Sequence, residues 1–237
     1  MTAAGRPSLS VIVPAFNEAR RIAATVTTLA TYFDGQGWDW ELLVADDGST
    51  DETAGIVETL AASQPRVRVL RQPHRGKGGA VRAGMLAATG ACRFMCDADL
   101  AMPVSQIPAF LDHMARGVDV AIGSREGRDA RRIGEPLYRH LVGRVFNGVV
   151  QMLALPGIED SQCGFKMFTA AAAEKVFSQV TTDGWAFDVE ALAIARRLGL
   201  RIVEVPIEWH FGEASKLRVL PDGVAMLREL WRIRRQS

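Results

Sequence analysis

The first half of the chain repeats one unit: a short apolar run, a polar loop, then an amphipathic stretch. Leu9 to Val13 stops at Pro14, which suits a strand end because proline donates no ladder hydrogen bond. Asn17-Glu18 then opens a stretch with apolar residues at Ile22, Val26, Leu29 and Phe33, the spacing of one helix face. Leu42 to Ala45 ends in Asp46-Asp47-Gly48-Ser49-Thr50-Asp51, and Ser49 or Thr50 is expected to cap the following helix, with acids in its first turn. Val67 to Leu70 leads to Gly76-Lys77-Gly78-Gly79 and a small-residue helix, Cys92 to Cys96 leads to Asp97-Ala98-Asp99, and Val118 to Ile122 leads to Gly123-Ser124-Arg125. Such alternation implies right-handed βαβ units, a mostly parallel central sheet flanked by helices and hence an α/β fold. Ligands of these sheets bind beyond the carboxyl ends of the strands, where all the polar clusters named so far fall.

A chain of 237 residues, 48% hydrophobic and 23% charged, can bury a real core in one large domain. A formal net charge of +1 gives no global electrostatic case for a nucleic-acid partner, so any basic function must be local. Cys92, Cys96 and Cys163 have no zinc spacing and read as buried free thiols in a reducing compartment. No stretch reaches the roughly 18 apolar residues of a spanning helix, and the first residues lack a signal-peptide core. A cytoplasmic location is expected, with peripheral contact at the cytoplasmic membrane face left open.

Asp97 and Asp99 admit two readings. They are either solvated turn residues or a pair of hard-cation ligands whose remaining coordination positions go to water and substrate phosphate. Gly76-Lys77-Gly78-Gly79 is not a Walker loop, because Arg71 stands where the first glycine belongs and Gly78 where Ser or Thr belongs. Val81 likewise breaks the dinucleotide pattern. What remains is a glycine-rich helix start carrying Lys77 and Arg82, able to receive an anion, or an ordinary turn.

After Ser124 the character changes. Arg125, Arg128, Arg131 and Arg132 crowd one loop, and Leu137 to Leu155 is apolar on much of its helical circumference. Leu137, Leu141, Val145, Val149 and Met152 form one stripe, and Tyr138, Val142, Phe146, Val150 and Leu153 another. Core burial is the simpler expectation; the arginines before the helix keep a membrane-interface reading open. Gly184 to Glu190 opens a helix through Leu198, Leu200 to Ile207 reads as a strand, and a last helix starts at Pro221 or Asp222 with Arg228, Arg232 and Arg235 on one face. The organisation expected is one continuous domain, with 1–124 as one half and 125–237, including the C-terminal helix, as the other.

Three clusters in order, Ser10 to Glu18, Val44 to Asp51 and Asp97-Ala98-Asp99, resemble the signature of inverting nucleotide-sugar glycosyltransferases of the GT-A fold. Asp160-Ser161-Gln162-Cys163-Gly164-Phe165-Lys166, Trp185 to Glu190 and Ser215-Lys216-Leu217 are similar to its dolichyl-phosphate β-glucosyltransferase branch, so the resemblance runs from about residue 8 to about residue 220. It implies that Pro14, Ala15, Glu18 and Asp46 face the base and ribose. It further implies that Asp97, Ala98 and Asp99 meet the donor diphosphate, the two carboxylates holding Mg²⁺ or Mn²⁺. Lys77, Arg82 and Lys216 would neutralise the leaving nucleotide diphosphate. A polyprenyl phosphate is already an anion and needs cations rather than a base, for which Arg125, Arg139 and Arg131 or Arg132 are the candidates. Asp188 would be a sugar-hydroxyl ligand or a general base. Ala101 stands where mannose-transferring relatives commonly have Gln, which weakens a mannosyl assignment. Relatives of this branch carry membrane anchors that this sequence lacks, so the chain would dock peripherally, rely on a membrane partner protein or use a soluble acceptor. The activity implied is inverting transfer of a hexose, foremost glucose, from a UDP-sugar to a polyprenyl phosphate. The alternatives are transfer to a soluble hydroxyl and nucleotide-sugar binding without turnover.

Overall fold

The computed structural model describes residues 8–212 and 229–233, without the side chains of Arg139, Val142 and Phe146. In chain order the elements are β1 (Leu9–Ala15), α1 (Ile22–Gly35), β2 (Trp40–Asp46), α2 (Thr53–Ser63), β3 (Val67–Arg71), α3 (Lys77–Ala87), β4 (Cys92–Cys96), α4 (Ile107–Ala115) and β5 (Val120–Ser124). There follow β6 (Arg131–Ile133), α5 (Leu137–Leu153), β7 (Phe165–Thr169), α6 (Ala170–Phe177), α7 (Phe187–Arg197), β8 (Ile202–Pro206) and β9 (Glu208–His210). The expected α/β organisation is present. Seven strands form one sheet in the order β3-β2-β1-β4-β7-β5-β8.

Helices cover both faces, so the strands are apolar on both sides, as parallel sheets require. Along β1, Leu9, Val11 and Val13 join the core on the α1 and α4 side, while Ile12 joins the core beneath α3, α6 and α7. Phe94 of β4 is fully buried, its ring 5.4 Å from Phe110 and 6.4 Å from Phe165, and ties strand to strand and sheet to α4.

β1 pairs in parallel with both β2 and β4, so the crossovers on its two sides leave in opposite directions. This is the topological switch point at which such sheets open a crevice at their carboxyl edge. The segment following β1 and the segment Asp97-Ala98-Asp99 following β4 both emerge there.

Four features differ from the sequence expectations. α2 begins at Thr53 without a side-chain cap, because Ser49 and Thr50 are used elsewhere: the Ser49 hydroxyl accepts from Asn17 N–H and Thr50 N–H donates to Asn17 Oδ1. β7 lies antiparallel between β4 and β5, so residues from beyond 124 enter the middle of the sheet. Its Phe-Lys-Met-Phe pattern conceals a central strand because Lys166, a residue normally at the surface, is 1% exposed. Within the arginine-rich loop, β6 pairs with β9 as a small separate parallel sheet.

The fourth is α5, which is not a core helix over most of its length. Leu137, Tyr138, Leu141, Val145 and Met152 are between 64% and 86% exposed, and Val150 is buried. Among the described residues no helix is long and apolar enough to cross a membrane. Of the expected last helix, residues 229–233 are described and helical, with Leu230 and Ile233 buried against the second core; its remainder, including Arg228 and Arg235, lies outside the described residues.

Candidate active site

A cavity of about 490 Å³ opens at the switch point. Its wall includes Pro14, Ala15 and Glu18 from the end of β1 and the loop beyond, Lys77 from α3, and Asp97, Ala98 and Asp99 after β4. It also includes Phe16, Arg21, Asp47, His74 and Trp185, which the sequence motifs did not assign.

Local chemistry fixes the upper wall. Asn17 adopts a left-handed backbone, φ 52°, and its Oδ1 accepts from Thr50 N–H at 2.8 Å, binding the loop after β1 to the loop after β2. Asp47 accepts from Arg75 N–H at 2.9 Å, from Gly76 N–H at 2.9 Å and from the His74 ring at 2.8 Å, so that Nδ1 carries the proton. His74 is thereby held flat against Phe16, with ring centroids 4.2 Å apart and planes 16° from parallel. The side chains at the end of β2 point alternately to opposite sides. Asp47 therefore faces the cavity, while Asp46 is buried beneath it, accepts from Ser49 N–H and does not line the wall. Asp46, the expected nucleotide ligand, is thus not among the residues lining the cavity, whereas its neighbour Asp47 is.

The lower wall carries the charges. Lys77 Nζ lies 2.6 Å from Asp97 Oδ1, and its ammonium is 5.5 Å from the Trp185 ring centroid. Burial opposes the charge on Lys77, but Asp97, Asp188 and Asp99 outweigh it and hold its pKa above the ordinary lysine range. Loss of surrounding water, and then the Asp97 charge, push the Asp99 carboxyl up. Its Oδ1 accepts from Ala101 N–H at 3.1 Å, and Leu100 between them has a φ of 48°, an uncommon conformation for a residue with a side chain. A Cβ at Gly164 would fall on the Asp97 carboxylate, so the glycine of Gln-Cys-Gly-Phe gives that carboxylate its space.

Two crowded carboxylates already drawing an ammonium fit a hard divalent cation. Among the described residues no group of three or more His, Cys, Asp or Glu side chains could hold a metal, so Asp97 and Asp99 would supply two ligands and substrate or water the rest.

Asp188 stands behind this wall. It is 4% exposed, in the first turn of α7, and Oδ1 accepts from Lys166 Nζ at 2.5 Å. Burial raises its pKa against the opposing pull of Lys166 and Lys77. Asp188, expected as a sugar-hydroxyl ligand or a base, is not among the residues lining the cavity.

The arginines are mostly matched. Arg125 makes a two-pronged contact with Asp160, Nε–Oδ2 at 2.7 Å and Nη2–Oδ1 at 2.8 Å, and its guanidinium lies 5.3 Å from the Trp209 ring centroid. Burial favours a neutral Asp160, but Arg125 outweighs it and lowers the carboxyl pKa. Arg132 pairs with Glu126 and Glu135. Arg125 and Arg132, expected to meet the acceptor phosphate, are thus anchored to carboxylates. Arg131 is exposed in a shallow polar depression with Asp129 and Glu208, apart from the cavity. Arg82 is half-buried in α3 and does not line the cavity. Lys216 lies outside the described residues, as does the side chain of Arg139.

This arrangement belongs to a class of sugar-transferring enzymes. The Glycosyl transferase family 2 profile matches residues 10–177, and the chain belongs to that family. The dolichyl-phosphate beta-glucosyltransferase of Saccharomyces cerevisiae is 34% identical over 246 residues, spanning 95% of this chain and 74% of that one. The Homo sapiens protein of the same name is 34% identical over 225 residues, 88% of this chain and 69% of that one. Among solved structures, Mycobacterium tuberculosis glucosyl-3-phosphoglycerate synthase in complex with uridine-diphosphate superposes with a TM-score of 0.68 at 24% identity, over 98% of this chain and 80% of that one. Mannosyl-3-phosphoglycerate synthase from Rubrobacter xylanophilus superposes at 0.72 and 17% identity, over 97% and 75%. Both share the fold.

Two outcomes follow from this geometry. Gly164→Ala displaces Asp97 and is expected to weaken Mn²⁺ binding by about 10–100-fold with the far-UV circular dichroism unchanged; calorimetric titration checks it. Asp160→Asn strands a largely buried guanidinium and is expected to cost about 3 kcal/mol in urea denaturation at neutral pH. Because the folded Asp160 pKa is depressed, its stabilisation is complete above the ordinary carboxylate pKa near 4 and is lost as pH falls through the folded value. The gap between wild type and Asp160→Asn should therefore close on acidification below about pH 4.

Proposed function

We propose that the chain is an inverting glucosyltransferase that moves glucose from UDP-glucose to a polyprenyl phosphate, with Mg²⁺ or Mn²⁺ held by Asp97 and Asp99. The observation that carries this reading is the convergence of two carboxylates, an ammonium and a stacked aromatic pair in one cleft. Relatives about a third identical over most of the chain are dolichyl-phosphate beta-glucosyltransferases, which supports the same acceptor class here.

In this reading the Phe16–His74 pair forms a flat wall for the base, and the buried Asp47 carboxylate holds His74 in that position. Lys77 neutralises charge that grows on the diphosphate as the sugar departs. When bound, the cation would supply further electrostatic stabilisation of that leaving group. The acceptor oxygen belongs to a phosphate that is ionised near neutral pH, so no proton has to be removed and positioning is the main requirement. The burial of Asp188 against Lys166 agrees with this: Asp188 is a positioning residue rather than a base.

The lipid chain has a counterpart on the surface. The exposed stripe of α5 follows a strand whose Ile133 is 42% exposed, and Arg128 and Arg131 are exposed just before the helix. An apolar stripe beside guanidinium groups suits the boundary of an anionic membrane. We infer that α5 rests on the membrane from which the acceptor is drawn.

Purified protein mixed with UDP-glucose, polyprenyl phosphate and Mn²⁺ is expected to form a glucosylated lipid, and chelation should abolish it. UDP release without lipid product across several chain lengths would refute the acceptor assignment. Leu141→Glu with Val145→Glu should lower co-sedimentation with anionic vesicles by about tenfold or more, since each apolar side chain buried contributes above 1 kcal/mol. Turnover of a short, water-soluble prenyl phosphate should be retained.

A further inference from the structure

The cleft already contains a cation. Lys77 Nζ sits on Asp97 Oδ1 at 2.6 Å, and on its inner side the ammonium feels the Asp188 carboxylate, itself paired with Lys166. Charges thus alternate along the wall: Asp99 and Asp97, Lys77, Asp188, Lys166. Of the two cations in this row, Lys77 is the one able to travel. Asp97 is backed by the glycine at 164, and Asp188 and Lys166 are almost completely buried. Lys77 carries its charge on a long flexible stem, and its side chain is 19% exposed at the cavity wall.

A divalent cation and an ammonium cannot share one carboxylate oxygen without strong repulsion. A metal entering alone must therefore push Lys77 off Asp97, leaving the ammonium to an Asp188 already committed to Lys166. A metal entering together with a diphosphate leaves no charge stranded, because the displaced ammonium finds the phosphates.

We propose that Lys77 is a built-in counter-ion that occupies the metal position on Asp97 in the donor-free enzyme and is handed to the donor diphosphate when the metal enters. Metal alone then binds weakly, and nucleotide and metal draw each other in, a coupling that is reciprocal by linkage. This role rests on Asp97 and Asp99 being the metal pair of the proposed transferase and adds an order to the filling of that site.

Mn²⁺ binding to the full chain without nucleotide, measured by electron paramagnetic resonance of the free ion, tests it. Lys77→Met should tighten Mn²⁺ by about fivefold or more. Arg21→Met, which removes a cleft cation paired with Glu18 instead, serves as the charge control and should have a clearly smaller effect. Lys77→Met binding no tighter than Arg21→Met overturns the proposal. A second measurement needs no variant: in the wild type, saturating Mn²⁺ should increase acetic-anhydride labelling of Lys77, mapped by mass spectrometry, and unchanged labelling overturns the handover. Wild-type protein that binds neither Mn²⁺ nor UDP overturns the transferase reading as well, whereas normal wild-type binding with an unresponsive Lys77→Met overturns this inference alone.

Discussion

The ion pair between Lys166 and Asp188 is the contact on which the cleft depends. Lys166 enters the interior because β7 runs antiparallel through the middle of the sheet, and an unpaired ammonium there would cost several kcal/mol. Asp188 meets it from the first turn of α7, where the helix dipole favours a carboxylate. Fixing the start of α7 also fixes the loop before it. Asp183 O accepts from Gly78 N–H at 2.8 Å, and Cβ atoms at Gly76 and Gly78 would collide with the 182–183 backbone. The glycines of Gly-Lys-Gly-Gly thus serve close packing of one backbone on another, and that packing aims Lys77 and Trp185 into the cavity.

Much of this fold could be read from the chain. The parallel strands announce themselves as apolar runs ending in polar loops, and the carboxyl-edge location of Pro14, Ala15, Glu18, Lys77, Asp97, Ala98 and Asp99 follows from that pattern. Other parts could not be read, for physical reasons. A strand containing lysine does not look central until its partner 22 residues onward is known. Asp46 and Asp47 are adjacent acids whose opposite directions depend on where the strand ends. Arg125 is neutralised by Asp160, 35 residues away, and neither residue signals the other. His74 belongs to no motif and is identified by Asp47 and Phe16 around it. The apolar pattern of α5 was legible, but periodicity cannot say whether a stripe faces protein or another apolar medium.

The arginines of the 125–160 segment and Lys77 at the cavity wall are used differently. Arg125, Arg132 and Arg144 each meet a carboxylate of the same region and hold the 125–160 segment in place. Lys77, flexible and set among three carboxylates, stays available for exchange. Guanidinium forks suit fixed geometry and an ammonium suits one that must change partners. The division agrees with a site whose charges are rearranged by its substrates and whose frame stays fixed.

The claim that most needs testing is that the acceptor arrives as an anion, so that no side chain has to take a proton. Polyprenyl phosphate and polyprenyl alcohol of equal chain length, offered separately with UDP-glucose and Mn²⁺, distinguish the cases directly. Glucose on the phosphate and none on the alcohol is the predicted result. Comparable glucosylation of the alcohol would contradict it, because that reaction requires a base and the buried Asp188 could not then be only a positioning group.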